Sequence, residues 1–327
     1  MTNFVTRIAV LLFAALTLVP AMHAADTGSS VSLEALPEYV TRVFVPVVPQ
    51  ATNTLSITNL RAEEVLETPP SFDVRVVHGK VVAFSDGGDA AGYARVRMGG
   101  RELTLTLVNV VPYGAMRNGK LDGYRIGEYA SQPLKGLEQY ERPKGFVRLA
   151  DHNDDLWVSD HYRMRDFQCK LDGETKFLVL RTDALVKLEI LQHELGLRHG
   201  LQFDRFSILS GYRTPYYNAK IGNETGYSRH LYGDAMDIYI DQDRDGNMDD
   251  VNRDGRIDTN DARFLLQVAE SIDNSSEWGW LKGGAGVYHA NSAHGPYIHV
   301  DARGYVARWG PIEETATRGG RTVAARR

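Results

Sequence analysis

The stretch SGYRTPYYNAKIGNETGYSRHLYGDAMDIYID, from Ser210 to Asp241, decides how the chain reads. Within it His230 and Asp237 stand on either side of Tyr232-Gly233, a turn dipeptide, and the alternation that follows predicts a strand. A second cluster, HGPYIHVD from His294 to Asp301, also reads as a strand edge. Three ligands of types His, Asp and His, with a fourth position left to water, make an open catalytic zinc site. The expected triad is His230, Asp237 and His299. A closed structural site would take a fourth protein ligand, usually sulfur. The chain has one cysteine, Cys169, so neither a cysteine zinc site nor an intrachain disulfide can form. Alone, that thiol reads as a small buried hydrophobe.

Between the two clusters lies DQDRDGNMDDVNRDGRIDTND, Asp241 to Asp261. Its second half places Asp250, Asn252, Asp254, Asp258 and Asp261 at positions one, three, five, nine and twelve of a calcium loop, with Gly255 at six. ARFLLQVAESI follows as a helix. Asp241-x-Asp243-x-Asp245-Gly246 begins a similar loop that shares Asp250 and Asn252 with the next, so one calcium ion or two are expected. Crowded aspartates repel one another without a cation, which favours a clamp beside the zinc strand over a bare acidic loop.

The ordered run Ser228-x-His230-x-x-Gly233-x-Ala235-x-Asp237, then Ile298-His299-Val300-Asp301, resembles the D-alanyl-D-alanine carboxypeptidases and their murein endopeptidase relatives. These are LAS zinc peptidases, a group with lysostaphin, the D-Ala-D-Ala enzymes and the hedgehog signalling domain. SGYRTPYYN and VSDHYRMRDFQC, the latter Val158 to Cys169, look like the endopeptidase branch. The resemblance covers about residues 158–310, roughly half the chain. It implies a zinc metallopeptidase that hydrolyses D-amino-acid-containing bonds of peptidoglycan, as a murein endopeptidase or a D,D-carboxypeptidase. Residue by residue, it makes His230, Asp237 and His299 the zinc ligands, His294 the general base and Arg213 the stabiliser of the substrate carbonyl or oxyanion. Ser228 and Asp234 would hold the substrate's peptide groups or serve the turn, and Asp301 would orient a ligand histidine. The lead Gly284 to Gly295 is longer than in the endopeptidase branch and contains a competing base, His289.

The rest of the chain reads differently. From Val40 to Pro112 the segments VTRVFVPVV, TLSIT, FDVRVV, KVVAF, YARVRM and ELTLTLVNVV alternate or cluster β-branched residues, with turns at His78-Gly79 and Gly99-Gly100. They predict a small all-β domain, an antiparallel sandwich or barrel. Tyr113 to Asp160 is rich in Gly, Pro, Tyr and charge and reads as a connector. After FLVL a helix is expected, capped by Thr182 or Asp183, carrying Leu185, Leu188, Leu191 and Leu195, and ending at Gly200. His193 and His199 on that helix read as satisfied residues.

The first residues carry Arg7 and then IAVLLFAALTLVP, a signal-peptide pattern too short to span a bilayer. The expected organisation is a signal peptide at 1–24, a β-rich domain at 25–112, a connector at 113–157, and an α+β zinc peptidase domain at 158–312. In that last domain helices flank a central antiparallel sheet, the insertion is 241–261, and a tail without fixed structure occupies 313–327. With export, the resemblance and the lack of a wall-anchor signal make the periplasm the expected compartment. A formal charge of -5 and 24% charged residues do not suggest a nucleic-acid surface. Peptidoglycan peptides are the expected partner, with no stable membrane insertion after cleavage. Two other classes compete: a catalytically silent peptidoglycan-binding protein, and a calcium-dependent adhesion or scaffold protein.

Overall fold

The computed structural model describes residues 28–310. The signal peptide expected at 1–24 and the tail expected at 313–327 lie outside the described residues. Among them the chain forms four sheets and three α-helices, a mixed α/β fold dominated by sheet. No helix there is long and apolar enough to cross a membrane.

The first strands are β1 (Ser30–Leu33), β2 (Arg42–Val47), β3 (Asn53–Ile57), β4 (Ala62–Glu67), β5 (Asp73–Val77), β6 (Lys80–Phe84), β7 (Ala91–Met98) and β8 (Arg101–Pro112). Hairpins at His78-Gly79 and Gly99-Gly100 join β5 to β6 and β7 to β8, at the two expected turns. Strands β1 and β4 carry no strong β-branched signal. The outward glutamates of β4 gain partners only across the sheet, Glu64 on Arg97 at 2.6 Å and Glu67 on Arg95 at 2.8 Å. Pairing direction also differs from an antiparallel sandwich or barrel. β1 runs parallel to β3 and β2 parallel to β8. No barrel closes; a four-stranded sheet has the order β1-β3-β6-β5, and β8 lies within a six-stranded one.

Next come β9 (Lys120–Leu121), β10 (Tyr124–Arg125), β11 (Gly145–Leu149) and β12 (Lys176–Leu178). The stretch expected to be a connector therefore supplies structure. β9 and β10 form a hairpin, and β11 enters the six-stranded sheet between β8 and β12 with Phe146 and Val147 buried. Because β12 belongs to that sheet, the first sheet system crosses the boundary expected at 157/158.

The remaining elements are α1 (Thr182–His199), β13 (Ser207–Ser210), α2 (Pro215–Lys220), β14 (Ala235–Tyr239), α3 (Thr259–Asp273), β15 (Gly284–Tyr288), β16 (Tyr297–Asp301) and β17 (Ala307–Trp309). α1 ends at Gly200 and buries its four expected leucines. Its N-cap is Arg181, not Thr182 or Asp183. The Thr182 hydroxyl is spent on the Phe44 carbonyl at 2.7 Å, which ties α1 to β2. His193 stacks on Tyr39, and His199 meets Phe264 edge-on. Cys169 is a buried free thiol.

The last sheet has the order β13-β14-β16-β15-β17, antiparallel except for the β15/β17 pair. The HGPYIHVD strand is thus central, not an edge. Strict alternation separates the two faces. Met236, Ile238, Ala285, Val287, Ile298 and Val300 are buried on the side of α3, while Asp237, His299 and Asp301 point the other way.

Candidate metal centre

The three expected zinc ligands converge. Asp237 on β14 and His299 on β16 are cross-strand partners, and His230 comes from the short turn that leads into β14. That turn is held tightly. Gly233 has a φ of +75°, and a Cβ there would stand 2.4 Å from the Val179 carbonyl, so only glycine lets the chain pass from His230 to Asp237. All three side chains are buried.

Their protons can be placed from their partners. His230 Nδ1 lies 2.7 Å from the Gly211 carbonyl, which can only accept, so Nδ1 carries the proton. His299 Nε2 lies 3.0 Å from Asp301 Oδ2. Burial acts to raise the Asp301 carboxyl, but the hydrogen bonds and charges of His299 and Arg303 outweigh it and hold the group far below the usual carboxylate range. Asp301 therefore accepts, and His299 Nε2 donates. This leaves His230 Nε2, His299 Nδ1 and Asp237 Oδ1 as lone pairs facing one another. Their separations are 3.1 Å between the nitrogens, 3.2 Å from His230 to Asp237, and 3.0 Å from His299 to Asp237.

Three buried lone pairs in contact require positive charge between them. The electrostatics of the packing act in the same sense. For Asp237, burial is outweighed by the charges and hydrogen bonds of His230 and His299, and its pKa lies well below the usual value. For His299, burial is outweighed by Asp237 and Asp301, and its pKa is pushed up. His230 is pushed down, chiefly by burial. A proton on His299 or a metal ion can supply the charge. The donor set suits zinc: bonds of 2.0–2.1 Å in a tetrahedron put ligand atoms about 3.3 Å apart, close to the triangle seen. The partners of the distal nitrogens, one carbonyl and one carboxylate, are those that metal-ligating histidines use.

Arg213 reaches the site, but its guanidinium pairs with Asp237 Oδ2, and its Nε donates to Ser210 Oγ at 2.8 Å. This leaves Asp237 Oδ1 to the centre and commits Arg213 to a ligand. Asp234 is fully buried with Arg229 across both carboxylate oxygens, at 2.9 and 2.5 Å, so it braces the turn and has no access to substrate. Ser228 is half-buried, and its hydroxyl has no partner among the described residues.

The two base candidates part company. His289 follows β15 on the α3 side, where its Nδ1 meets Thr259 Oγ1 at 2.7 Å. His294 meets the ring of Tyr297 edge-on, with centroids 4.8 Å apart, and Tyr297 shares the face of His299. His294 is itself engaged: Nδ1 donates to the Gly295 carbonyl at 2.7 Å, and Nε2 accepts from Asn291 at 2.8 Å. Proton transfer by His294 would first require release of Asn291.

The insertion folds as two loops of one design. Asp245 and Gly246 donate to Asp241, and nine residues on Asp254 and Gly255 donate to Asp250. The carboxylates of Asp241, Asp243 and Asp245 lie within 4.8 Å of one another, close enough for one cation. Asn252 and Asp254 stay at the second loop, whereas Asp258 caps α3 and Asp261 is buried, its oxygens accepting from Val251, Asn252 and Asp258. Sequence reasoning missed Gly211 and Arg303, which support the two histidines. The SGYR motif carried a signal for the first; nothing in the sequence marked the second. No family model, curated protein or solved structure matches the chain.

Proposed function

We propose that the chain is an exported zinc hydrolase that cuts peptide bonds of peptidoglycan at the His230–Asp237–His299 centre. One observation carries the reading: three buried lone pairs converge at zinc-ligand spacing, with both distal histidine nitrogens already spent on acceptors. Zinc bound there would supply Lewis acidity and activate water near neutral pH. The chain's own residues do the rest. Gly211 and Asp301 fix the ring orientations, Arg213 holds the second oxygen of Asp237, and His294, once released from Asn291, takes and returns the proton. The peptidoglycan substrate and the periplasm rest on the sequence resemblance around His230, Asp237 and His299, and export on the signal-peptide pattern. Calcium in the paired aspartate loops would clamp the segment between β14 and α3.

The test combines metal analysis with digestion of purified cell walls. Full chain should hold about one zinc, clear the wall substrate, lose activity with chelator and regain it with zinc. His230→Ala, Asp237→Ala and His299→Ala should each lose both zinc and activity. Full zinc occupancy in His299→Ala, or zinc-loaded protein that leaves cross-linked and monomeric muropeptides intact, would sink the reading.

A further inference from the structure

One row of the last sheet crosses the metal centre. Strand register sets Asp237 of β14 beside His299 of β16, His299 beside Gly286 of β15, and Gly286 beside Trp309 of β17. Gly286 has no side chain, and the Trp309 indole fills the space above it: a Cβ there would stand 2.2 Å from the indole nitrogen. The indole thus lies against His299, with ring centroids 5.0 Å apart. Two residues further along β15, Tyr288 shares that face and pairs with Tyr297 of β16, their rings stacked nearly parallel at 4.6 Å.

The Trp309 N–H donates to the Tyr288 hydroxyl at 2.9 Å. An indole N–H can only donate, so Tyr288 accepts there and its own proton is left for another partner. No acceptor for that proton stands among the described residues. Burial raises the hydroxyl above its ordinary value, so it stays protonated at neutral pH, and the charges acting on it are those of Asp237 and Arg213. His230 enters the centre from the turn before Ala235, which pairs with Asp301, while Tyr288 and Tyr297 stand at the other end of the face. No ligand comes from that end. The Arg213 guanidinium, expected to steady the substrate oxygen, is paired with Asp237.

We infer that Tyr288 is a further catalytic residue, whose hydroxyl donates a hydrogen bond to the scissile carbonyl oxygen of the bound peptide as that oxygen turns negative. In that step a water oxygen bonds to the carbonyl carbon, the carbonyl π pair moves onto its oxygen, and the water's proton passes to His294. Tyr288 keeps its own proton. A preset donor needs no reorganisation as charge develops, and the Trp309 N–H does the presetting. This role rests on the proposed zinc centre and hydrolysis.

The probe is acetohydroxamate, a small oxygen-chelating anion, titrated into cobalt-substituted full chain and read from the visible spectrum of the cobalt. Tyr288→Phe keeps the ring stack and removes the hydroxyl alone. It should hold metal fully and bind acetohydroxamate at least ~10-fold more weakly, the worth of a hydrogen bond to a charged group. On wall peptides its kcat should fall ~100-fold or more, with KM within a few-fold of wild type. Tyr297→Phe, whose hydroxyl no N–H orients, should weaken acetohydroxamate less. Unchanged affinity in Tyr288→Phe overturns the role, as does a loss in Tyr297→Phe that equals or exceeds it. Loss of metal from Tyr288→Phe also overturns it, by making the hydroxyl a support of the centre, as does wild-type chain that takes up cobalt but not acetohydroxamate. Wild-type chain that takes up no cobalt overturns the metal centre and this role together. Chain that binds acetohydroxamate through Tyr288 but cuts no wall peptide overturns the substrate alone, and leaves Tyr288 as the donor to a different substrate's oxygen.

Discussion

His294 and His289 differ at the level of single contacts, and the difference can be measured. His294 lies on the metal face through Tyr297, while His289 is turned to Thr259 on the α3 side. His294→Ala should therefore lower kcat by roughly 100- to 10,000-fold with zinc retained, the usual worth of a general base. His289→Ala should leave kcat within a few-fold of wild type. Asn291→Ala separates a latch from a support: freeing the His294 lone pair should raise kcat if Asn291 is a latch and lower it if Asn291 is a support. Another histidine bears on stability. His161 Nδ1 lies 2.6 Å from the buried Glu189, whose hydrogen bond raises the His161 pKa against the opposing effect of burial. A raised histidine stabilises fully below its unfolded value, about 6.5, and the gain is lost as pH rises through the folded value. The melting-temperature gap between wild type and His161→Ala should accordingly be wider at pH 6 than at pH 8. Equal gaps at the two pH values would mean that the pair contributes nothing.

Most residues of the two loops in the insertion are exposed. Its two loops repeat one hydrogen-bond pattern nine residues apart, and Asp241, Asp243, Asp245, Asp250 and Asp254 crowd carboxylates onto exposed turns. Calcium at a hundredfold excess over Kd should stabilise the chain by about 2.7 kcal/mol, visible as a rise in melting temperature. Asp250→Ala with Asp254→Ala should remove the part owed to the second loop, and Asp241→Ala with Asp243→Ala the part owed to the first. Calcium-independent melting would reduce both loops to solvated surface. Elements with a plain period were legible in the sequence: β3, β5 to β8, α1 and α3 fall where alternation or helical spacing puts them. β1, β4 and β11 were not, because short or glutamate-bearing strands become strands only when a neighbour supplies the ladder.

At the scale of the whole molecule, the two expected domains share one hydrophobic cluster that runs from Val31 to Ala302. A buried polar knot reinforces it. Lys187 of α1 donates to Asp273 of α3 at 2.8 Å and to the Asp301 carbonyl at 2.9 Å, and Arg308 of β17 pairs with the same Asp273 at 2.6 Å. Lys187→Met leaves Asp273 with one partner and strands the carbonyl, a loss of about 3 kcal/mol or more. In a chain of this size that should lower the melting temperature by roughly 5–10 °C. Calorimetry should show one transition, moving as a unit, because no boundary free of core contacts separates the halves. Two transitions, with only the later one shifted by Lys187→Met, would mean that the halves unfold separately.

The sequence by itself carried the order of the metal-ligand types, the two repeated aspartate loops, the hairpin turns and the periodic strands and helices. Each of these depends on neighbours a few residues apart, or on a motif whose spacing is itself the signal. Tertiary structure alone decided the rest: that Asp237 and His299 pair across strands, that Arg213 is committed to Asp237, that Asp234 is walled in by Arg229, and that His289 faces away. It also decided that β11 and β12 extend the six-stranded sheet and that β1 stands at the edge of the four-stranded one. Strand register and direction are set by contacts far apart in the chain, and a one-residue change of register turns every side chain to the opposite face.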